Sequence, residues 1–339
     1  ISVPQFQRKF NFTTHTRQTY VIAGTAFGTI ARSPVSFVAL AVALLLALLI
    51  PALISLKGIS LLPRTAHVLT LLTAPVADDP RLPWVLIPLL IVHYAGQLVW
   101  RERDAGLGEI ADAMPVPEWP LFLGKFLGLS LALVALMTLV AMSGMLGQMR
   151  MGYFDLEIGL YLKILFGLQL TDYILFALLV FVVHAVVNQK HLGYLVALLA
   201  YGVIAFPSIV GLEHHLLIYG SGPRWDYSDM RGFGSSFGPW LWFKLYWAAW
   251  ALLLAVAATL LWPRGPERSF GARLQVARHR ATRAMVGVAA TAMVLIGTLG
   301  GFIFYNTNVL NRYRTASEEK ERRAEYERRY IKYADIAQP

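Results

Sequence analysis

The chain has 339 residues, 57% of them hydrophobic and only 15% charged, with a mean hydropathy of +0.54. An ordinary soluble domain carries roughly 25% charged residues and cannot enclose so much apolar surface, which excludes a soluble enzyme, a disordered chain and a polar nucleic-acid domain. The net charge of +10 therefore reads as cytoplasmic loops and anionic lipid heads, with no nucleic-acid partner, and the lack of cysteine removes disulfides, thiolate metal sites and cysteine nucleophiles.

In chain order, residues 5–33 mix basic side chains with Phe6, Phe10, Phe12, Tyr20, Ile22, Phe27 and Ile30. Tyr20, Phe27 and Ile30 share one face of a helix, which predicts a helix lying in the cytoplasmic interface within residues 1–34; a partly ordered linker is the alternative. Ser33-Pro34 supplies a cap followed by proline at the first helical position. A bilayer core of about 30 Å needs roughly 20 mostly apolar residues per helix. Seven stretches qualify, at 35–56, 83–100, 121–146, 160–187, 192–212, 239–262 and 284–305, the second being short and holding Pro88 and His93. Their continuous apolar character excludes a barrel of alternating strands. The fold class is an all-α polytopic membrane protein. It comprises a six-span bundle over 35–262, a basic loop over 263–283, a seventh span over 284–305 and a charged helical stalk over 306–339.

Fourteen Lys and Arg fall on segments that are cytoplasmic if the N-terminus is inside, against six on the opposite loops. The stalk adds eight basic residues on the outside, offset by six acids. This orientation puts the N-terminus in the cytoplasm and the C-terminus outside it. The chain starts at Ile1 with no signal-peptide pattern, and a helical pattern still runs at Tyr333, so a piece of a longer polypeptide is expected.

The loop 101–125, RERDAGLGEIADAMPVPEWPLFLGK, is charged and lies on the cytoplasmic side of this scheme. Leu107, Ile110, Ala111 and Met114 line one face of a short helix, and Pro115, Pro117 and Pro120 stop it and start the next. Such a helix can transmit force to a soluble partner; a solvated loop is the competing reading. The run resembles the signature of type-2 ABC exporter permeases through Glu102, Arg103, Gly106, Glu109, Ile110, Pro115, Val116, Trp119, Gly124 and Lys125. Leu107 stands where that family often has Thr, and Pro117-Glu118 where it often has Ser-Arg. The resemblance implies that 101–118 docks an ATP-binding cassette subunit, that 1–34 is an elbow helix and that six spans form one permease half.

The tail carries a second resemblance. Gly300-Gly301, Tyr305-Asn306-Thr307-Asn308, Leu310-Asn311 and Tyr313-Arg314 are similar to fusion proteins in which such a permease precedes a gluzincin-type zinc aminopeptidase. Glu318 with Arg322, Glu319 with Arg323 and Glu325 with Arg329 give i,i+4 pairs that suit a stalk. The HExxH spacing of a zincin does not occur; Glu213-His214-His215 has the wrong spacing, so any peptidase lies beyond Pro339. The chain also has no GxxxxGK[ST] phosphate loop. It is read as no enzyme, with no cofactor of its own, while ATP and magnesium belong to a partner subunit.

Inside the spans, Asp172 lies nine residues past Lys163, roughly 13 Å deeper. It lines a substrate path, or it pairs with a cation on another span or bonds Thr171 or Tyr173. Lys163 and Lys244 are expected to snorkel to the interface, and His93 and His184 to act in helix packing. The loop 213–238 reads as a re-entrant hairpin, an external gate or an ordinary mobile loop. No spacing rule supports a metal site in His214, His215, Asp226 and Asp229. Gly287, Thr291, Thr298 and Gly301 let the seventh span approach another helix closely.

The expected function is the membrane half of an ATP-driven exporter in a bacterial inner membrane. Its expected partners are two ATP-binding cassette subunits, membrane lipids, and a second permease half that is homologous or fused upstream. The alternatives are a membrane anchor for an extracytoplasmic zinc aminopeptidase, or a proton-coupled secondary transporter that uses Asp172.

Overall fold

The computed structural model describes residues 11–56, 63–73, 85–114, 116–264, 269–311, 313 and 315–331. Pro115 of the docking signature, the aromatic start of the elbow and the end of the stalk lie outside the described residues. The described residues fold into helices without a named strand. We number them α1 (Phe12–Ala31), α2 (Pro34–Leu56), α3 (Thr65–Thr73), α4 (Leu86–Asp104), α5 (Gly108–Ala113) and α6 (Glu118–Arg150). These are followed by α7 (Ile158–Val187), α8 (Lys190–Ala205), α9 (Phe237–Leu260), α10 (Phe270–Arg280), α11 (Arg283–Val309) and α12 (Ala316–Tyr330).

Five of these, α2, α6, α7, α9 and α11, are long and apolar enough to cross a bilayer. The second and fifth expected spans are weaker. The apolar part of α4 ends at Trp100, because Arg101 to Asp104 complete the same helix. Helix α8 has 16 residues, about 24 Å. It stops at Ala205 rather than continuing to 212, because proline at 207 disfavours helical backbone at Phe206. Pro207–Val210 then forms a 3-10 turn closed by Gly211 in the left-handed region (φ 71°).

The 33 residues of α6 extend about 50 Å, more than a bilayer core, so other helices pack along it in two tiers. At its start lies α1, whose buried stripe is Thr19, Ala23, Ala26 and Ile30. The expected face differs: Ile30 is buried, but Tyr20 is 73% exposed, because the small side chains turn towards α6. A Cβ on Gly128 would stand 2.5 Å from the Ala26 Cβ and 2.8 Å from the Ala23 carbonyl; one on Gly124 would stand 2.7 Å from Ile22. Only glycine permits this approach. The chain then bends at Ser33-Pro34 as expected. Ser33 Oγ accepts from the Ser36 amide at 3.3 Å, and the Ser36 hydroxyl meets Tyr94 of α4 at 2.7 Å.

Farther along α6, Gly144 and Gly147 receive Leu72 and Ile50. The short helix α3, which the apolar pattern did not reveal, buries Val68, Leu69, Leu71 and Leu72 here. Fully buried Gln148 closes this end, donating to Pro63 O at 2.8 Å and accepting from the Tyr161 hydroxyl at 2.7 Å. Helix α7 runs through the centre, packed on α4, α6, α8 and α9, with Ala177, Phe181, His184 and Ala185 excluded from solvent. Its segment Leu162–Gln169 is π-helical, and Asn188 ends it in the left-handed conformation (φ 50°). Helix α11 packs chiefly on α9 through Tyr246, Trp242, Phe302 and Ile303.

Candidate functional site

The charged end of α4 is a junction of four elements. Arg101 donates to Thr29 of α1 at 2.6 Å, and Glu102 accepts from Lys125 of α6 at 2.6 Å. Arg103 reaches Asn188 at 3.4 Å and lies 5.5 Å from the Trp100 ring, while Asp104 pairs with Lys190 of α8 at 2.7 Å. Glu102 and Lys125, brought together here, come from opposite ends of the signature. The Lys125 side chain is buried beneath Trp262 and needs this carboxylate, since an unpaired buried charge costs several kcal/mol.

Gly106 has its own physical reason. The amides of Gly106 and Leu107 donate to the carbonyls of Arg103 and Glu102 at 3.1 and 2.8 Å, closing α4 with a Schellman turn that needs the left-handed φ of 71°. Helix α5 follows immediately. Its apolar residues Leu107, Ile110 and Met114 face outward, Ile110 being 66% exposed, with Glu109 exposed beside them. Ala111, expected on the same face, is half-buried. Trp119 lies at the start of α6 against Phe12 and His15 of α1, with ring centroids 6.2 and 6.0 Å apart.

Sequence reasoning missed Arg264, which holds this loop in place. Its guanidinium donates to the carbonyls of Asp112 (3.0 Å), Val116 (2.6 Å) and Met114, and it meets Glu118 at 3.4 Å. One rigid fork thus gathers three backbone carbonyls from the end of α5 and the connection to α6. Residue 264 is about 150 positions away in the chain, so no local pattern could have found the contact. The Pro117-Glu118 departure gains meaning here, since Glu118 pairs with both Arg264 and Arg280, each at 3.4 Å.

On the opposite side of the bundle, Asp172 of α7 pairs with Lys244 of α9 at 2.5 Å. Lys244 is 7% exposed and also donates to Gly220 O at 2.5 Å, so it does not snorkel as expected: a carboxylate and a carbonyl within reach hold it inside. Lys163 is exposed. Residues 213–222 form a strap over this pair. Trp247 donates to Ser221 O at 2.7 Å, and the Tyr219 hydroxyl donates to Leu175 O at 3.1 Å. His215 bonds the Ser221 hydroxyl at 2.7 Å. The strap is also latched to the segment leading into α12. His214 stacks on Tyr313 at 4.1 Å and bonds Asn308 at 3.2 Å, and the Tyr313 hydroxyl donates to Glu213 O at 3.0 Å. Burial, with the charges of His214 and Lys244, lowers the His215 pKa from its usual 6.5. Asp229 meets Arg64 at 3.1 Å, so the two histidines and this aspartate serve separate bonds.

Two further polar side chains stand out on α4. His93 is exposed, and one turn later Gln97 has a buried Oε1 without a partner among the described residues. His184 instead accepts from the Trp100 indole at 3.1 Å, the packing role expected of it.

A family model described as an ABC-2 family transporter protein matches residues 30–208, just over half of the chain, from the last turn of α1 past the end of α8. No curated protein matches the chain. The matched part contains the α4 junction, α5 and the Glu102–Lys125 pair. The chain therefore belongs to the ABC-2 family of transporter proteins, as a multi-pass membrane component that works with ATP-binding cassette proteins.

Proposed function

We propose that this chain forms one half of the path of an ATP-driven exporter in a bacterial inner membrane, with its N-terminus in the cytoplasm and its C-terminus outside. A second half, homologous or fused upstream, completes the path. Two ATP-binding cassette subunits, which themselves hold ATP and magnesium, dock on the cytoplasmic side, on 101–118 and near helix α1. One observation carries the reading: α5 exposes Leu107, Ile110 and Met114 while Arg264 and the α4 junction fix both of its ends. An apolar face on a solvent-exposed helix needs a cover. Helix α4, tied to α1, α6, α7 and α8, can pass a push on α5 to the bundle as a rigid-body movement.

In this reading Glu109 and Ile110 touch the cassette subunit. Glu102, Arg103, Gly106 and Trp119 position α5, because most of their contacts point into the protein, and Pro115 keeps the docking role that the resemblance implies. The path runs along the α4 stripe of exposed His93 and half-buried Gln97, since polar groups within a membrane face a partner helix or a wet cavity rather than lipid. Asp172 and Lys244 close its outer end beneath the strap. The capped helix α12 leads away as a stalk, consistent with a further extracytoplasmic domain such as a zinc aminopeptidase.

The test is Leu107→Asp with Ile110→Asp in a complex purified with its cassette subunit. The expected result is loss of both co-purification and stimulated ATPase activity, with the permease still folded. A variant complex that forms and hydrolyses ATP at the normal rate removes the docking assignment.

A further inference from the structure

Helix α10 lies in what the sequence shows only as a basic loop, and it has two unlike faces. Its inner face is a clamp. Arg273 donates to Ala185 and Val186 O in the last turn of α7, and to Leu261 O at 2.5 Å just past α9. Arg280 reaches Trp262 O at 3.1 Å and Glu118 at 3.4 Å. These guanidiniums satisfy the carbonyls that two helix ends leave over, and they complement the negative ends of the helix dipoles. They also fix α10 at the level where the spans leave the bilayer.

The outer face carries Phe270, Leu274 and Arg278 at intervals of four residues, all exposed. His279 and Arg283 beside them are exposed as well, and neither Arg278 nor Arg283 meets a carboxylate among the described residues. The whole segment 263–283 holds six arginines against one acid, Glu267. A surface helix in water turns its apolar side inward. Here the burial is inverted: arginines face the protein, and an aromatic and an aliphatic side chain face away from it. Apolar side chains, cations and the depth of the span ends coincide at a lipid headgroup layer.

We propose that α10 is an interfacial anchor for anionic phospholipids. Phe270 and Leu274 enter the acyl region, and Arg278 and Arg283 bind lipid phosphates. The inner clamp ties that anchor to the ends of α7 and α9. The proposal rests on the membrane placement of the chain but not on cassette docking, so each can fail without the other.

The experiment uses the full chain, purified in detergent and stripped of lipid. Phosphatidylglycerol or phosphatidylcholine is titrated in, thermal unfolding is followed, and bound lipids are counted by native mass spectrometry. Phosphatidylglycerol should raise the unfolding temperature of the wild type, and phosphatidylcholine should not. Arg278→Glu with Arg283→Glu should need about tenfold more phosphatidylglycerol for the same shift, since each juxtamembrane basic residue contributes strongly to anionic-lipid attraction. Arg278→Gln with Arg283→Gln should carry fewer phosphatidylglycerol molecules in the mass spectrum, a readout that does not depend on stability. Unchanged lipid counts in both variants overturn the proposal. So do variants that keep their lipid but no longer hold the cassette subunit, because that face would then be a protein dock.

Discussion

The two ends of the bundle are closed by different chemistry. At the α4 end, charged side chains span between helices and hold carbonyls: Glu102 with Lys125, Asp104 with Lys190, and Arg264 and Arg273 on helix ends. At the strap end, the buried pair of Asp172 with Lys244 lies under a layer of neutral aromatic and hydroxyl bonds from Tyr219, Trp247, His215 and Tyr313, and the other pair, Arg64 with Asp229, is exposed. The first arrangement is stiff and leaves an apolar helix in the open. The second can open by breaking a few neutral bonds, each contributing about 1 kcal/mol. In the proposed reading, the first end receives the push of the cassette subunits and the second releases cargo.

The contrast can be broken most strongly at Glu102. Glu102→Ala leaves the Lys125 ammonium buried and unpaired, and should cost about 3 kcal/mol in an unfolding titration in detergent. A loss below about 0.5 kcal/mol would mean that Lys125 finds another partner. Gly128→Leu tests the stiff end through packing alone. The leucine must push α1 off α6, and a loss of about 2 kcal/mol is expected, with easier proteolysis within α1. Asp172→Ala should cost less, about 1–1.5 kcal/mol, because Lys244 keeps the Gly220 carbonyl. A cost equal to that of Glu102→Ala would show that the two ends are held alike.

The smallest effect is a pH dependence of the strap. His215 is neutral in the folded latch and its pKa is lowered, so the unlatched state takes up a proton more readily. The latch is therefore fully held above pH 6.5 and weakens as pH falls below that value. Hydrogen exchange of residues 213–222 should rise between pH 7 and pH 5.5, and His215→Gln should flatten the change. Exchange that is flat in the wild type removes His215 from the latch.

Much of this architecture is legible in order and type. The charge-free run from Val35 forms a helix, Ser33-Pro34 makes the bend, and the alternation of Leu107, Ile110 and Met114 forms α5. What misled the reading was polarity taken residue by residue. Lys244 reads as a snorkelling cation because its partner sits on another helix, 72 positions earlier. Tyr20 and Ile30 read as one face of an interfacial helix, whereas Gly124 and Gly128 draw Ile30 and the small side chains of α1 inward and leave Tyr20 outside. Helix α3 is too short for a span and too apolar for a loop, and only its shelter against Gly144 explains it.

The sequence by itself determined that this chain is a multi-pass membrane protein, and it marked 101–125 as a charged segment carrying a short helix. Hydropathy and helical period are local properties that each stretch carries with it. Tertiary structure alone decided which charges are spent inside and which faces stay open. Arg264 on the carbonyls after α5, Arg273 on the ends of α7 and α9, and Lys244 on Asp172 all join residues distant in the chain. In a low-dielectric interior a charge must find its counterpart wherever the fold brings one, and spacing along the sequence carries no record of that meeting.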